Sequence, residues 1–447
     1  MKRILILGAG LSSSSLIKYL LDNASKHDWK VIVADVNYEL AVSKIEGNER
    51  GKALAFDLFD EQKRSTEIQK SDIVISMLPA RFHYLIAKDC VKYGVDMVTA
   101  SYVSPEIKAL DEKAKTKNII LLNEIGVDPG IDHMSAMQII DKIRAKGGKL
   151  YNFESSTGGL VAPEYDNNPW NYKFTWNPRN VILAGQGVSQ FLHNGRFKYI
   201  PYHKLFSRTE DLNILDLGAF EIYPNRDSLK YREIYGLENI QTMFRGTIRR
   251  KGFSEAWNVF VQLGLTDDTY IIEDSKNITY RKFINSFLPY DKGMKVETKI
   301  SNILGIAEDS EIMEKIKWTG IFDEEVIGLE KATPAQILQH LLTLKWKLDP
   351  EDKDMIVMHH IFDYEYKGDN KHLTSTMVVK GTDQVYTAMS ITVGIPAAIA
   401  TKLILTGKIT RKGVQVPIVK DIYEPVMEEL DAYGVKFIEK EVNFKSY

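Results

Sequence analysis

The chain has 447 residues and a mass of 51.0 kDa, enough for about three domains at ~150 residues each. With 44% hydrophobic and 26% charged residues it has the composition of a folded globular protein, which excludes disorder as its main character. Lys+Arg at 58 against Asp+Glu at 60, a formal charge of −2 with no polybasic tract, argues against nucleic acid as the main partner, and a single cysteine, Cys90, excludes an intrachain disulfide or a cysteine-based zinc site and fits a reducing cytoplasm.

Met1-Lys2-Arg3 opens an apolar run that Gly8 and Gly10 interrupt, too short for a signal peptide. Ile4–Leu7, Val31–Ala34, Ile73–Ile75 and Ile119–Leu122 are short β-rich runs of the kind buried on both faces of a parallel sheet. Helix-length segments lie between them. One carries Leu16, Ile17, Leu20 and Leu21 on one stripe; a second, Arg81 to Tyr93, is closed by Gly94; a third begins at Ser104 with Pro105 behind it. The repeated β-α-β order predicts an α/β, Rossmann-type doubly wound parallel sheet with right-handed crossovers over residues 1–126. After Asn123 the texture changes. Residues 127–254 and 355–387 are expected to form an α+β substrate-binding and dimerisation domain, 255–354 a helical insertion, and 388–447 a return to the first domain. Ala388 to Gly407 is apolar but holds Pro396, Lys402 and several hydroxyl residues, and reads as a buried helix preceded by a loop rather than a membrane span.

Gly8-Ala9-Gly10-Leu11-Ser12-Ser13 joins the first strand to the first helix. The first glycine makes the tight turn, the second lets the backbone approach a pyrophosphate, and the helix N-terminus faces that anion. Ser13 replaces the third glycine of the usual fingerprint. Asp35 follows the second strand, where a carboxylate accepts from the ribose hydroxyls and repels a 2′-phosphate, favouring NAD, with NADP possible; the lesser alternative is a cap for the next helix. Met77-Leu78-Pro79 falls beneath the nicotinamide half, although a proline there also ends a strand.

Several motifs then become familiar in order: 98–105 (VTASYVSP), 123–133 (NEIGVDPGIDH), 158–164 (GGLVAPE), 223–228 (YPNRDS), 244–249 (FRGTIR) and 392–396 (TVGIP). Over essentially its whole length the chain resembles the saccharopine dehydrogenase family, in its L-glutamate-forming branch of saccharopine reductases. The resemblance implies a homodimer of Rossmann, α+β and helical domains without a metal. It implies interconversion of L-saccharopine with L-glutamate and L-2-aminoadipate 6-semialdehyde by hydride transfer to an imine. By the same resemblance, substrate contacts fall at Ser101, Tyr102, Asp128, Thr157, Arg226 and Thr247, with Asp128 and Tyr102 as catalytic candidates. Cofactor contacts fall at Gly8, Gly10, Leu11, Ser12, Ser13, Asp35 and Val36, then Phe56, Asp57, Met77, Leu78 and Pro79, and finally Val127, Asp128, Pro129 and Trp176. Two departures stand out. Thr157 replaces the family's cysteine before Gly-Gly-Leu, which raises a carboxynorspermidine-type condensation as an alternative, and Asp35-Val36 replaces a Cys-Arg whose arginine suits a 2′-phosphate.

The chemistry is consistent with those positions. A substrate with three carboxylates and a secondary amine needs cations and donors, and Arg226 can grip a carboxylate in a bidentate fork or sit in a structural ion pair. Asp128 can hold an amine or iminium, or simply make the Asp-Pro-Gly turn. Ser101 and Tyr102 can orient substrate or relay a proton, or pack an ordinary loop. A nucleotide-binding regulatory protein without catalysis is the contrasting class. His359-His360 would point to opposite faces of a strand and reads as structural or surface; His133 reads as a hydrogen-bonding residue at a helix start, and Cys90 as an inert core thiol.

Overall fold

The computed structural model describes residues 1–444. It divides into two compact units, Met1–Leu150 with Tyr364–Tyr447, and Tyr151–Asp363.

The first unit is built on a parallel sheet. Its strands are β1 (Lys2–Leu7), β2 (Trp29–Asp35), β3 (Gly51–Ala55), β4 (Ile73–Ser76), β5 (Asp96–Val98) and β6 (Ile120–Leu122), joined at the far edge by Gly413–Gln415. The order runs from that late strand through β6, β5, β4, β1 and β2 to β3, and every pairing is parallel. The direction of winding reverses between β1 and β4, the place where α/β sheets receive ligands. All four expected strands form. β3 and β5 were not legible, because β3 is half-exposed with no apolar run and β5 is three residues long.

Burial on both faces explains the near-continuous apolar runs. Ile4, Leu5, Ile6, Leu7, Val31, Val33, Ile73, Val74 and Ile75 are each 0% exposed. On one face Leu5, Leu7, Ile32 and Val74 pack with Ile86, Ala87 and Cys90. Burial pushes the Cys90 thiol well up, in keeping with an inert core residue. The helices α1 (Ser14–His27), α2 (Tyr38–Ile45), α3 (Glu61–Gln69) and α4 (His83–Tyr93) follow β1 to β4 in turn. Helix α4 ends at Gly94 with φ 73°, and the short α5 (Pro105–Lys108) starts with Ser104 accepting from the Ile107 amide. A further helix, Ala388–Leu405, runs straight through Pro396 from its Thr387 cap, so no loop lies within that stretch. It is long and apolar enough to cross a membrane, yet 78% of it is buried.

The second unit is built on a mixed sheet. Its strands are β7 (Lys149–Val161), β8 (Val188–His193), β9 (Arg196–Pro201), β10 (Glu210–Asn213), β11 (Ala219–Pro224) and β12 (Thr242–Arg250). β10, β11 and β12 pair antiparallel, β12 and β7 pair parallel, and the β8–β9 hairpin attaches to β12. Helices occupy Phe253 to Lys345 before strand β13 (Asp354–Tyr366). His359 and His360 are both buried in that strand, so a surface role is ruled out for them. An aromatic cluster of Trp170, Tyr172, Phe253, Trp257 and Trp346, with centroids 5.1–6.0 Å apart, anchors the helices.

One buried ion pair fixes α3 against α4. Arg64 Nε donates to Asp89 Oδ2 at 2.7 Å and Nη1 to the Leu58 carbonyl at 2.6 Å, with both side chains about 5% exposed. Asp89→Ala strands the buried guanidinium and should cost about 3–5 kcal/mol. A urea midpoint that falls at unchanged slope checks this, and a loss under 1 kcal/mol would contradict it.

Candidate functional site

The glycine-rich loop lies at the carboxyl edge of β1. Gly8 has φ +102°, and a Cβ there would stand 3.0 Å from the Met77 carbonyl oxygen, so a side chain is excluded twice. Gly10 is extended, exposed and open. The backbone amides of Gly10, Leu11 and Ser12 donate to no acceptor among the described residues. They form a nest of free N–H groups in front of α1, as a pyrophosphate requires. Ser13 is buried, and its hydroxyl donates to the Gly10 carbonyl at 2.7 Å, closing the loop on itself.

Sequence reasoning missed what backs this loop. Helix Ala388–Leu405 packs along α1, and a Cβ on Gly394 would lie 3.0 Å from both the Leu16 nitrogen and the Ser12 carbonyl oxygen. Ser390 Oγ accepts from the Ser15 amide at 2.9 Å. The close backbone approach that the third fingerprint glycine usually permits is thus supplied by Gly394, almost four hundred residues along the chain. No local signal at the loop could have pointed to it.

Asp35 ends β2 beside the loop. Its Oδ2 accepts from the Ala9 amide at 2.8 Å and its Oδ1 from the Asn37 amide at 2.9 Å. Asn37, not Asp35, caps α2. Val36 is 77% exposed. Phe56 is buried with its amide on the Asp35 carbonyl, and Asp57 folds its carboxylate onto the Phe59 amide. The cations near this end are Lys63, whose ammonium donates to the Ala55 carbonyl, and Lys44, which donates to Ser14 Oγ at 2.6 Å. Lys30 and Arg50 are committed to the Glu49 carbonyl and the Asp28 carboxylate, at the opposite end of β2. Met77, Leu78 and Pro79 leave β4 as a half-buried to exposed turn.

On the β4 side of the reversal, Ser101 and Tyr102 follow β5, and Val127, Asp128 and Pro129 follow β6. The structure brings Tyr102 and Asp128 together, with the phenol donating to Asp128 Oδ1 at 3.0 Å. Gly130, at φ +146°, lies so close to Gly126 that a Cβ would meet its backbone at 2.1 Å. Glu124 ties the segments together. Its Oε1 accepts from the Val103 amide, its Oε2 lies 2.9 Å from His133 Nε2, and its own amide donates to the Ser101 carbonyl. His133 is fully buried in the first turn of the helix Ile131–Ala145, a hydrogen-bonding residue at a helix start as expected.

The second unit carries the remaining candidates. Tyr223, Thr247 and Thr157 stand in register across β11, β12 and β7, so their side chains share a face. Thr157 Oγ1 has no hydrogen-bond partner among the described residues. Arg226 follows β11 at φ +38°, is exposed, and pairs with no carboxylate among the described residues, which removes the structural ion pair as its role. Trp176 is 37% exposed.

This combination of a reversing parallel sheet, a free-amide nest and an acidic residue after β2 defines a dinucleotide-binding α/β protein. Residues 4–122 match the saccharopine dehydrogenase NADP binding domain, and residues 126–435 the saccharopine dehydrogenase C-terminal domain. The chain is 34% identical to the Saccharomyces cerevisiae saccharopine dehydrogenase [NADP(+), L-glutamate-forming], with 99% of each covered. It is 36% identical to an Arabidopsis thaliana alpha-aminoadipic semialdehyde synthase, spanning 41% of it, and it spans 47% of the rat mitochondrial counterpart. It therefore covers less than half the length of these longer relatives. The structure of apo saccharopine dehydrogenase (L-Glu forming) from Saccharomyces cerevisiae superposes with a TM-score of 0.90 at 32% identity, covering 99% of this chain and 100% of that one. The chain belongs to the saccharopine dehydrogenase family.

The Gly394 contact makes a prediction. Gly394→Val would drive two methyl groups against the backbone of Ser12 and Leu16, so dinucleotide affinity should fall about tenfold, or ~1.4 kcal/mol. Fluorescence titration of bound dinucleotide measures it. Wild-type affinity in the variant would mean that the loop does not need this backing.

Proposed function

We propose that the chain is an oxidoreductase that interconverts L-saccharopine with L-glutamate and L-2-aminoadipate 6-semialdehyde in lysine metabolism. One observation carries this reading: a yeast relative bearing the L-glutamate-forming name aligns with 99% of this chain and with 99% of its own length. In the oxidative direction the secondary amine loses a hydride and a proton to become an imine, and water divides the imine into glutamate and the semialdehyde. A nicotinamide dinucleotide held at the Gly8–Ser13 loop would supply the hydride acceptor or donor. The chain's own part is to bind and orient. The free amides of Gly10, Leu11 and Ser12 take the pyrophosphate. Asp128 places a carboxylate beside the substrate amine, and Tyr102, bonded to it, holds a proton that can move to or from that nitrogen. Arg226 offers an unpaired guanidinium fork to a substrate carboxylate.

For the coenzyme, the proposal is NAD(H). The relatives named for NADP(+) act with the phosphorylated form; in this chain the Asp35 carboxylate is held by two backbone amides where the adenosine ribose reaches β2. A 2′-phosphate ~4 Å away would be repelled by roughly 4 kcal/mol at an effective dielectric of 20. Lys63 offsets part of this. The proposed working form is a homodimer, and the single, buried thiol of Cys90 supports a reducing cytoplasm as its compartment.

The purified protein should oxidise saccharopine and release glutamate, with kcat/KM about ten- to hundredfold higher for NAD⁺ than for NADP⁺. Product analysis giving lysine and 2-oxoglutarate would overturn the reaction, and a preference for NADP⁺ would overturn the coenzyme assignment.

Arg226→Ala should lower kcat/KM for saccharopine by the equivalent of ~2–5 kcal/mol, as for other truncated charge pairs, and leave dinucleotide affinity unchanged. Unaltered kcat/KM would remove Arg226 from the substrate site.

A further inference from the structure

Beneath the carboxyl ends of β4 and β5, one imidazole links two hydroxyls. His83 Nδ1 lies 2.8 Å from Ser76 Oγ, and its Nε2 lies 2.7 Å from Ser101 Oγ. Ser76 closes β4 and is 1% exposed; His83 opens α4 and is 2% exposed. Ser101, by contrast, is half-buried, next to the strand pair where the winding reverses. Burial pushes His83 down to about 4, so the ring is neutral near pH 7 and carries one proton.

The network says which nitrogen carries it. Among the described residues the Ser76 hydroxyl has no partner but the imidazole. That contact, at 2.8 Å, is shorter than the 3.4 Å from Thr99 Oγ1 to Nε2, which makes Ser76 rather than Thr99 the hydroxyl that donates to the ring. Ser76 therefore donates to Nδ1, and the ring proton sits on Nε2. That N–H points at Ser101 Oγ, with Thr99 Oγ1 at 3.4 Å as a more distant acceptor. The Ser101 amide in turn faces Thr99 Oγ1 at 3.4 Å. Once its oxygen has accepted from the ring, Ser101 has its own proton free to turn away from the ring, toward the carboxyl edge of the sheet.

We propose that His83 is a positioning residue, one that makes Ser101 a hydrogen-bond donor directed at a carboxylate of the bound amino-acid substrate. The inference rests on the substrate reading above and names a residue that neither the motifs nor the family likeness singled out.

Nitrogen-15 spectra of the histidine-labelled protein with dinucleotide bound test it without turnover. The His83 ring, assigned by its disappearance in His83→Gln, should be neutral with its proton on Nε2; a proton on Nδ1 overturns the proposal. In kinetics, His83→Leu should raise KM for saccharopine about tenfold and leave dinucleotide affinity within twofold. His83→Gln, which keeps a donor near the Nε2 position, should stay within threefold of wild type. In a Ser101→Ala background His83→Leu should add less than twofold. A full additional loss there, or a glutamine variant as poor as the leucine one, also overturns it. A wild type that leaves saccharopine untouched would sink the substrate reading instead, and the tautomer would still decide the role of His83.

Discussion

The arrangement of the first unit's edge depends on one carboxylate. Glu124 sits at φ +59°, and through its amide and both oxygens it holds the Ser101 carbonyl, the Val103 amide and His133. From the loop after β6, Glu124 thus ties down the loop after β5 and the helix that begins at Ile131. A charge-assisted hydrogen bond in a site this dry is stronger than its counterpart in water. Two such contacts and the backbone bond to Ser101 give the loops one geometry, in which Tyr102 meets Asp128. Neither residue could find the other through chain proximity. Twenty-six positions separate them, and both lie on irregular backbone, where only tertiary contacts define a conformation.

The phosphate loop obeys the same logic. Its turn is local, since Gly8 and Gly10 need only their own dihedral angles and free space. Its rigidity is not, because Gly394 and Ser390 bring a late helix against Ser12, Ser15 and Leu16. An anion-binding nest works by having its N–H groups aimed before the anion arrives. A helix pressed against the loop's outer side, with no side chain between, keeps them aimed. The same contact explains why an 18-residue apolar helix carries glycine and serine on the side toward α1 while remaining buried. Small residues allow the approach; hydroxyls that donate to their own backbone, such as Thr392 to Ala388 and Thr401 to Ala397, are satisfied without water.

This divides what could be read from the chain from what could not. Strands β1, β2, β4 and β6 announced themselves because burial on both faces demands unbroken apolar runs, and Gly94 and Ser104 marked helix ends through local chemistry. β3 escaped because an edge strand packs on one side only and needs no apolar run. The site was legible as a set of candidate contacts, and half of its logic lay in residues given no role there, two of them inside the quoted motifs and His83 in none. Gly394, Glu124 and His83 all act through partners at long range in sequence: Gly394 by lacking a side chain, Glu124 by joining loops, and His83 by joining Ser76 to Ser101. The cations close to Asp35 in sequence show the same limit. Lys30 and Arg50 look near it along the chain, but a strand of seven residues carries its two ends ~20 Å apart, and both sit at the wrong end.

Three arginines from the familiar motifs make the final distinction. In sequence Arg226, Arg245 and Arg249 look equally suited to a carboxylate. Arg245 is 5% exposed with its guanidinium 4.2 Å above the Tyr231 ring, and Arg249 is 3% exposed among the rings of Tyr172, Tyr223 and Phe253, donating to the Ile248 carbonyl. Alternation along β12 puts both on the face that carries Thr247. Glu221 stands opposite Arg249 in register, but its carboxylate accepts from the Gly252 and Ser254 amides at the start of a helix, so it is not free to form a hydrogen-bonded pair with that guanidinium. Cation–π contact stabilises a buried guanidinium by ~2 kcal/mol and leaves its charge in place. Arg226 differs from both. It stands in a left-handed turn just past β11, exposed and without a carboxylate, where its fork can meet a ligand with little prior desolvation to undo. Of the three, Arg226 is therefore the one whose guanidinium is open to a ligand.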